Sequence, residues 1–253
     1  MSQSAAAALA RLPFELVYDD GEPMEDNWHV IEMHLLIDLV RQVMAQRGRS
    51  DFFTGGNIFV YYSYEQAADV VAGRPYFRGP DFLYVGGVDG QRERHAWVSW
   101  EEGGRFPDVI VELLSPSTAH VDRTIKKDLY ARTFKTSEYY LYDFEAAKLE
   151  GFLLAGGVYV PMTPNAQGRL WSQQLGLELG LWHGVRDGAE TTWLRFYHPD
   201  GTLVPTREEA ALQLAEAAAI RAEVERQRAD AERLRAEAAL AELERLRSQL
   251  GNQ

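Results

Sequence analysis

From Pro107 to Tyr142 the chain reads strand, turn, helix, strand: PDVIVELLS, the polar turn PSTAHVD, RTIKKDLYARTF and EYYLYD. A helical connection of this length between two β segments is the βαβ unit, whose strands pair in parallel. That unit commits the chain to an α/β fold. Side chains alternate along a strand, so Asp108, Ile110, Glu112 and Leu114 share one face and Val109, Val111 and Leu113 the other. Both faces are mostly apolar, which predicts a strand buried on both sides. Glu112 is then the anomaly, because an ionised carboxylate in such a place costs roughly several kcal/mol unless it is paired or bound to a cation.

The rest of the chain supplies the context. A helix is expected from Asp26 or Asn27 to about Arg47, ended by Gly48, with Val30, Met33, Leu36 or Ile37 and Val40 recurring at three and four residue steps. Its first turns also carry His29, Glu32, His34 and Asp38, a dense set of possible ligands. The two histidines are five residues apart, which is not the His-Glu-x-x-His zinc arrangement, and each histidine read alone is a solvated or hydrogen-bonded one. NIFVYYS, PDFLYV and HAWVSW read as strands and SYEQAADVVAG as a short helix. Ser117, Thr118 and Asp122 are candidate caps for the helix from about Val121 to Phe134, on which Lys126 and Tyr130 share a face. From Lys148 to His198, short strands and turns suggest an antiparallel extension of the sheet. The expected domains are an irregular segment over residues 1–25, an α/β body over 26–206 and a helical tail over 207–253. The tail, almost wholly Ala, Glu, Arg, Leu and Gln, makes one helix of about 66 Å with a thin, interrupted heptad seam, a weak coiled coil that could serve a homodimer.

Composition narrows the chemistry. No cysteine is present, which excludes disulfides, thiolate zinc sites and a cysteine nucleophile, and fits a cytoplasmic chain. No apolar run reaches 18 residues and the N-terminus does not read as a secretory signal, so no membrane partner is expected. The formal charge is -12. The tail holds 8 of the 26 basic and 10 of the 38 acidic residues, leaving the body 18 against 28, so salt-driven coating of nucleic acid is disfavoured. A local basic groove remains open around Arg123, Lys126, Lys127, Arg132 and Lys135. No Gly-rich phosphate loop is present, since GGVDG lacks the lysine and helix start that a P-loop needs.

Asp81 and Glu112, carboxylates on separate predicted strands, with Lys126 on the helix that follows Glu112, form the one constellation suited to chemistry. Carboxylate oxygens suit Mg²⁺ or Mn²⁺, and a nearby lysine can orient or deprotonate a water and offset transition-state charge. Asp81 as a turn residue after Pro80, and Glu112 in a buried ion pair with Lys126 that needs no metal, are the alternatives. PDFLYV followed by PDVIVELLSPSTAHVDRTIKKDLYARTFKTSEYYLYD resembles the bacterial Uma family of endonucleases, within the PD-(D/E)XK restriction-endonuclease-like superfamily, over roughly residues 15–182. The resemblance implies a restriction-endonuclease-like mixed β-sheet core flanked by helices and a metal-dependent phosphodiesterase site acting on DNA. On it, Asp81 matches the Pro-Asp carboxylate and Glu112 the second acid. Leu114 replaces the usual lysine two residues on, and Lys126 matches a lysine that stands in from the following helix. Glu32 matches an acid on the first helix. A second function class, a catalytically inactive scaffold that assembles through its tail, is favoured by the acidic body and by Leu114. A phosphate-handling enzyme acting on a smaller nucleotide is a third.

Overall fold

The computed structural model describes residues 14–17, 27–73 and 79–250. The described chain divides into two units, residues 1–204 and 205–253. The expected irregular segment, with its acidic turn and Asp26, lies outside the described residues apart from Phe14 to Val17, which lie against a small core at Tyr61 and Trp100.

The first unit is built on α1 (Asn27–Gln46). Its residues are buried on nearly every side, leaving an exposed stripe of His34, Asp38 and Arg41. A helix so apolar around its circumference needs cover on two sides. One cover is a six-stranded mixed sheet in the order β1 (Phe52–Gly55), β3 (Phe82–Gly86), β5 (Val109–Leu114), β6 (Glu138–Asp143), β7 (Lys148–Ala155), β8 (Val158–Pro161). The other is a three-stranded sheet of β9 (Leu170–Ser172), β10 (Leu177–Arg186) and β11 (Ala189–Tyr197). Leu36, Val40 and Met44 of the helix share one core with Val109, Val111 and Leu113 of the large sheet and Leu177, Leu194 and Phe196 of the small one.

Within the large sheet β5 and β6 pair in parallel, in the register Glu112 opposite Leu141, and every other neighbouring pair is antiparallel. The helical crossover between them covers the second face of the sheet, where Ile110, Leu114, Tyr139 and Leu141 meet Tyr130 and Phe134. It runs from Ala119 to Phe134 and is not a plain α-helix. Two short α segments, α3 (Ala119–Val121) and α4 (Lys127–Leu129), alternate with π-helical stretches at Asp122–Lys126 and Tyr130–Phe134.

Three expectations need correction. The strands after Lys148 do not all extend one sheet: β7 and β8 do, whereas β9 to β11 form the separate sheet over α1. A hairpin's local pattern is the same in either place, and the uncovered side of α1 decides which sheet it joins. NIFVYYS and HAWVSW contract to two-residue strands, β2 (Val60–Tyr61) and β4 (Trp97–Val98), that pair with each other in parallel beside α2 (Tyr64–Val71). The edge strand β1 was not expected, because FFTG is short and its glycine reads as a turn.

The approach to β3 depends on two glycines. Loop 56–58 crosses residues 79–81 closely enough for Asn57 N–H to donate to the Pro80 carbonyl at 3.0 Å. A Cβ on Gly79 would lie 1.4 Å from the Ile58 oxygen, and one on Gly56 would lie 2.1 Å from the Asp81 oxygen. The crossing therefore fixes where Asp81 begins its strand.

In the second unit, α5 (Arg207–Leu250) starts at a capping box: Glu209 N–H donates to Thr206 Oγ1 at 3.2 Å while Thr206 N–H donates to Glu209 Oε2 at 2.7 Å. Leu212, Leu214, Ile220, Leu234, Leu240, Leu243 and Leu246 are all exposed along it. No described helix is long and apolar enough to cross a membrane.

Gly79→Ala is expected to destabilise the first unit by about 3 kcal/mol, since the backbone must open to admit the methyl group. A fall of roughly 6–12 °C in the thermal midpoint would register it; an unchanged midpoint would show that the crossing is loose.

Candidate active site

Glu112 sits in the middle of β5 on the face turned toward the crossover helix, with no exposed surface. Both of its oxygens are engaged. Lys126 Nζ lies 3.0 Å from Oε2, and the Tyr130 hydroxyl donates to Oε1 at 2.7 Å. Lys126 Nζ also lies 2.8 Å from Oδ1 of Asp122, a carboxylate buried beside it. Asp122, Lys126 and Tyr130 are spaced by four, and in a plain α-helix residues four apart drift around the axis by about 40° per step. The wider i→i+5 turn of the π stretch at Asp122–Lys126 counters that drift and keeps all three facing the sheet. Glu112 thus lies between a line of helical side chains and the strand that carries it.

Asp81 reaches the same place from β3. That strand pairs with β5 only as far as Phe82, opposite Val111. Beyond it the Leu113 N–H donates to Asp81 Oδ2 at 2.7 Å, so a side chain occupies a ladder position that a backbone carbonyl would fill. Asp81 is half-buried, unlike Glu112. From the opposite side of the sheet, His29 of α1 holds the Leu113 carbonyl, with Nε2 at 2.8 Å.

The electrostatics follow from three carboxylates around one ammonium. Burial pushes the Glu112 carboxyl well above its ordinary value; Lys126 pulls it back, and Asp122 and Asp81 push it up again. Burial likewise raises Asp81, against the pull of Lys126 and the Leu113 N–H. For Lys126 burial acts downward, but Glu112, Asp122 and Asp81 outweigh it and hold the amine protonated beyond its usual range. Burial and the adjoining Glu112 both raise the Tyr130 phenol, which keeps it a hydrogen-bond donor. One ammonium cannot balance three ionised carboxylates; the raised Glu112 and Asp81 carboxyls relieve the excess by holding a proton, and a second positive charge would do the same.

The donor set fits a hard divalent ion. Asp81 and Glu112 offer only oxygen, and Mg²⁺ takes one or two carboxylates while keeping several waters. Among the described residues no group of three or more histidine and carboxylate side chains is gathered to cage a metal. An ion held by Asp81 and Glu112 would share Glu112 with Lys126.

The sequence reading paired Asp81, Glu112 and Lys126, and the structure brings these three together. It does not bring Glu32 to them. Glu32 is fully buried one turn beyond His29, but its Oε2 accepts from Leu194 N–H of β11 at 3.2 Å, so it faces the small sheet. Asp122, read as a helix cap, is instead part of the ion cluster; its four-residue spacing to Lys126 was the available signal. Asp108 is structural, accepting from Gly86 N–H at 2.7 Å. Of the expected basic groove, Arg123, Lys127 and Arg132 line one cleft, but each is engaged: Arg123 pairs with Glu150, Arg132 with Asp128 at 3.6 Å, and Lys127 lies over the Phe152 ring. The cleft, of about 560 Å³, is lined also by Asp128 and Tyr159.

A mixed sheet with a parallel central pair, whose crossover helix aims a lysine at a strand carboxylate, is the architecture of a restriction-endonuclease-like α/β domain. Residues 9–188 match the model of the Uma2 family, described as "Putative restriction endonuclease". The chain belongs to that family. Among solved structures it is similar to a protein of Anabaena variabilis titled "a putative nuclease belonging to DUF820", at 12% identity and a TM-score of 0.41, over 62% of this chain and 81% of that one. No curated protein matches.

Burial raises the Glu32 carboxyl to about 8, against the Leu194 N–H and the charges of Arg195 and Arg186. A carboxyl raised in the folded state holds its proton more tightly there. Its contribution to stability is therefore complete below about 4.5 and is lost as pH climbs through about 8. Urea unfolding should show the wild type losing on the order of 1 kcal/mol or more relative to Glu32→Gln between those values. Parallel profiles for the two proteins would mean that Glu32 is solvated.

Proposed function

We propose that the protein is a metal-dependent DNA endonuclease of the cytoplasm, hydrolysing phosphodiester bonds at the Asp81, Glu112 and Lys126 cluster. The observation that carries this is the crowding of carboxylates about one ammonium: Lys126 pairs with Glu112 and Asp122, Asp81 acts on it from close by, and of the three only Asp81 is a residue that keeps part of its surface exposed. Membership in a family described as restriction endonucleases supports DNA as the substrate.

Asp81 and Glu112 would hold Mg²⁺ or Mn²⁺, which supplies Lewis acidity toward the scissile phosphate. The chain's own groups divide the remaining work. Lys126 is an ammonium, so it cannot take a proton from water; it can donate to an attacking water or to a non-bridging phosphate oxygen, and it offsets charge that grows in the transition state. Proton acceptance falls to a carboxylate whose basicity burial has already raised, and Asp81 is the one whose residue is only half-buried. Tyr130 and Asp122 hold Glu112 and Lys126 in place. Glu32, facing the small sheet, has no part in the reaction on this reading.

On supercoiled plasmid with Mg²⁺, Asp81→Ala and Glu112→Ala should each lower nicking by about 10²-fold or more, and Lys126→Ala by a similar factor. Chelation should stop the wild type. Purified wild type that nicks equally well in a chelator would sink the metal requirement.

The exposed aliphatic side chains of α5, which come closest to a heptad seam at Leu243 and Leu246, favour a second role for the tail, pairing with the tail of another copy. Light scattering should give the full-length chain a mass near that of a dimer and a chain ending at Thr206 that of a monomer. Equal masses per chain would remove the tail from assembly.

A further inference from the structure

We propose that His29 is a positioning residue for the cation site, acting through the peptide groups of Leu113. This rests on reading Asp81 and Glu112 as the cation's ligands. Because β3 stops pairing at Phe82, opposite Val111, the backbone of Leu113 has lost its strand neighbour on that side. Asp81 takes its N–H at 2.7 Å and His29 takes its C=O at 2.8 Å. One residue, the immediate successor of Glu112, is thus held at both ends by side chains. One of these belongs to a proposed ligand and the other to a helix on the opposite face of the sheet.

A carbonyl can only accept, so Nε2 carries the proton. The other ring nitrogen, Nδ1, is buried and has no hydrogen-bond partner among the described residues, so no second bond competes for the ring. Trp28 stacks on the imidazole, with centroids 4.0 Å apart, and fixes its plane. Without the imidazole the Leu113 carbonyl would be buried and unpaired, and its peptide would turn to find a donor. That carbonyl lies in the peptide joining Leu113 to Leu114, and its rotation about the Leu113 Cα would disturb the adjoining Glu112–Leu113 peptide, whose N–H Asp81 holds. The cation site would lose its spacing while both ligands remained present.

The test is calorimetric titration of the full-length protein with Mn²⁺. Loss of a group that orients metal ligands typically weakens binding about 10- to 100-fold. His29→Ala should fall in that range, while His29→Gln, whose amide N–H can replace Nε2–H at the same reach, should stay within about threefold of wild type. Should His29→Ala fail to fold, His29→Asn takes its place, since its amide is too short to reach Leu113. Asp81→Asn should abolish binding, and wild type that binds no Mn²⁺ would overturn both the cation reading and this inference. Wild-type affinity in His29→Ala or His29→Asn, with Asp81→Asn dead, would overturn the role of His29 alone. Equal loss in His29→Gln and His29→Ala would also overturn it, because a packing role or direct ligation through Nδ1 predicts no rescue.

Discussion

Burying Glu112 in β5 sets a problem that much of the surrounding structure answers. A carboxylate with no solvent contact needs charge and hydrogen bonds from the protein, and the crossover helix delivers both, as the Lys126 ammonium and the Tyr130 hydroxyl. Lys126, once brought inside, needs more than one counter-charge to stay protonated, and Asp122 and Asp81 supply it. The result is a cluster in which every member is tolerated only because of the others. Such clusters are weak evidence of stability taken alone. They are stronger evidence of a site when one member, here Asp81, belongs to a residue that is only half-buried.

The parts of this cluster that lie within one element were legible in the sequence. Strand alternation put Glu112 on the face with Ile110 and Leu114, and four-residue spacing put Lys126 and Tyr130 on one side of the helix; both hold in the structure. The Pro-Asp start of β3 pointed to Asp81. What the sequence could not resolve is which surface each element meets. His29 and Glu32 lie three residues apart on α1, yet His29 reaches the large sheet and Glu32 the small one. A helix covered by two sheets has no single inward face, so the periodicity of α1 could not separate a site residue from a packing residue. The same ambiguity sent β9, β10 and β11 into the wrong sheet. Asp122 was hidden for another reason: an aspartate at the start of a helix reads first as a cap.

The two units present opposite physical regimes. The first owes its order to buried aromatic and aliphatic surface, with Tyr139, Tyr140 and Tyr142 all inside the sheet. The second is a helix of 44 residues held by local terms, among them the Thr206 capping box and near-neighbour pairs such as Arg226 with Glu223 and Arg233 with Glu237. Exposed pairs of this kind contribute only about 0.3–0.5 kcal/mol each, so length and alanine content must carry the helix where it stands alone. Chemistry and assembly can therefore vary independently along this chain.

The alternation of α and π turns between Ala119 and Phe134 makes the cluster sensitive to residue count as well as residue identity. Shortening this crossover by a single position would leave all the reactive groups in the polypeptide and still rotate them out of alignment with the strand. Geometry fixes length here, and an insertion or deletion is as disruptive as the loss of a charged group.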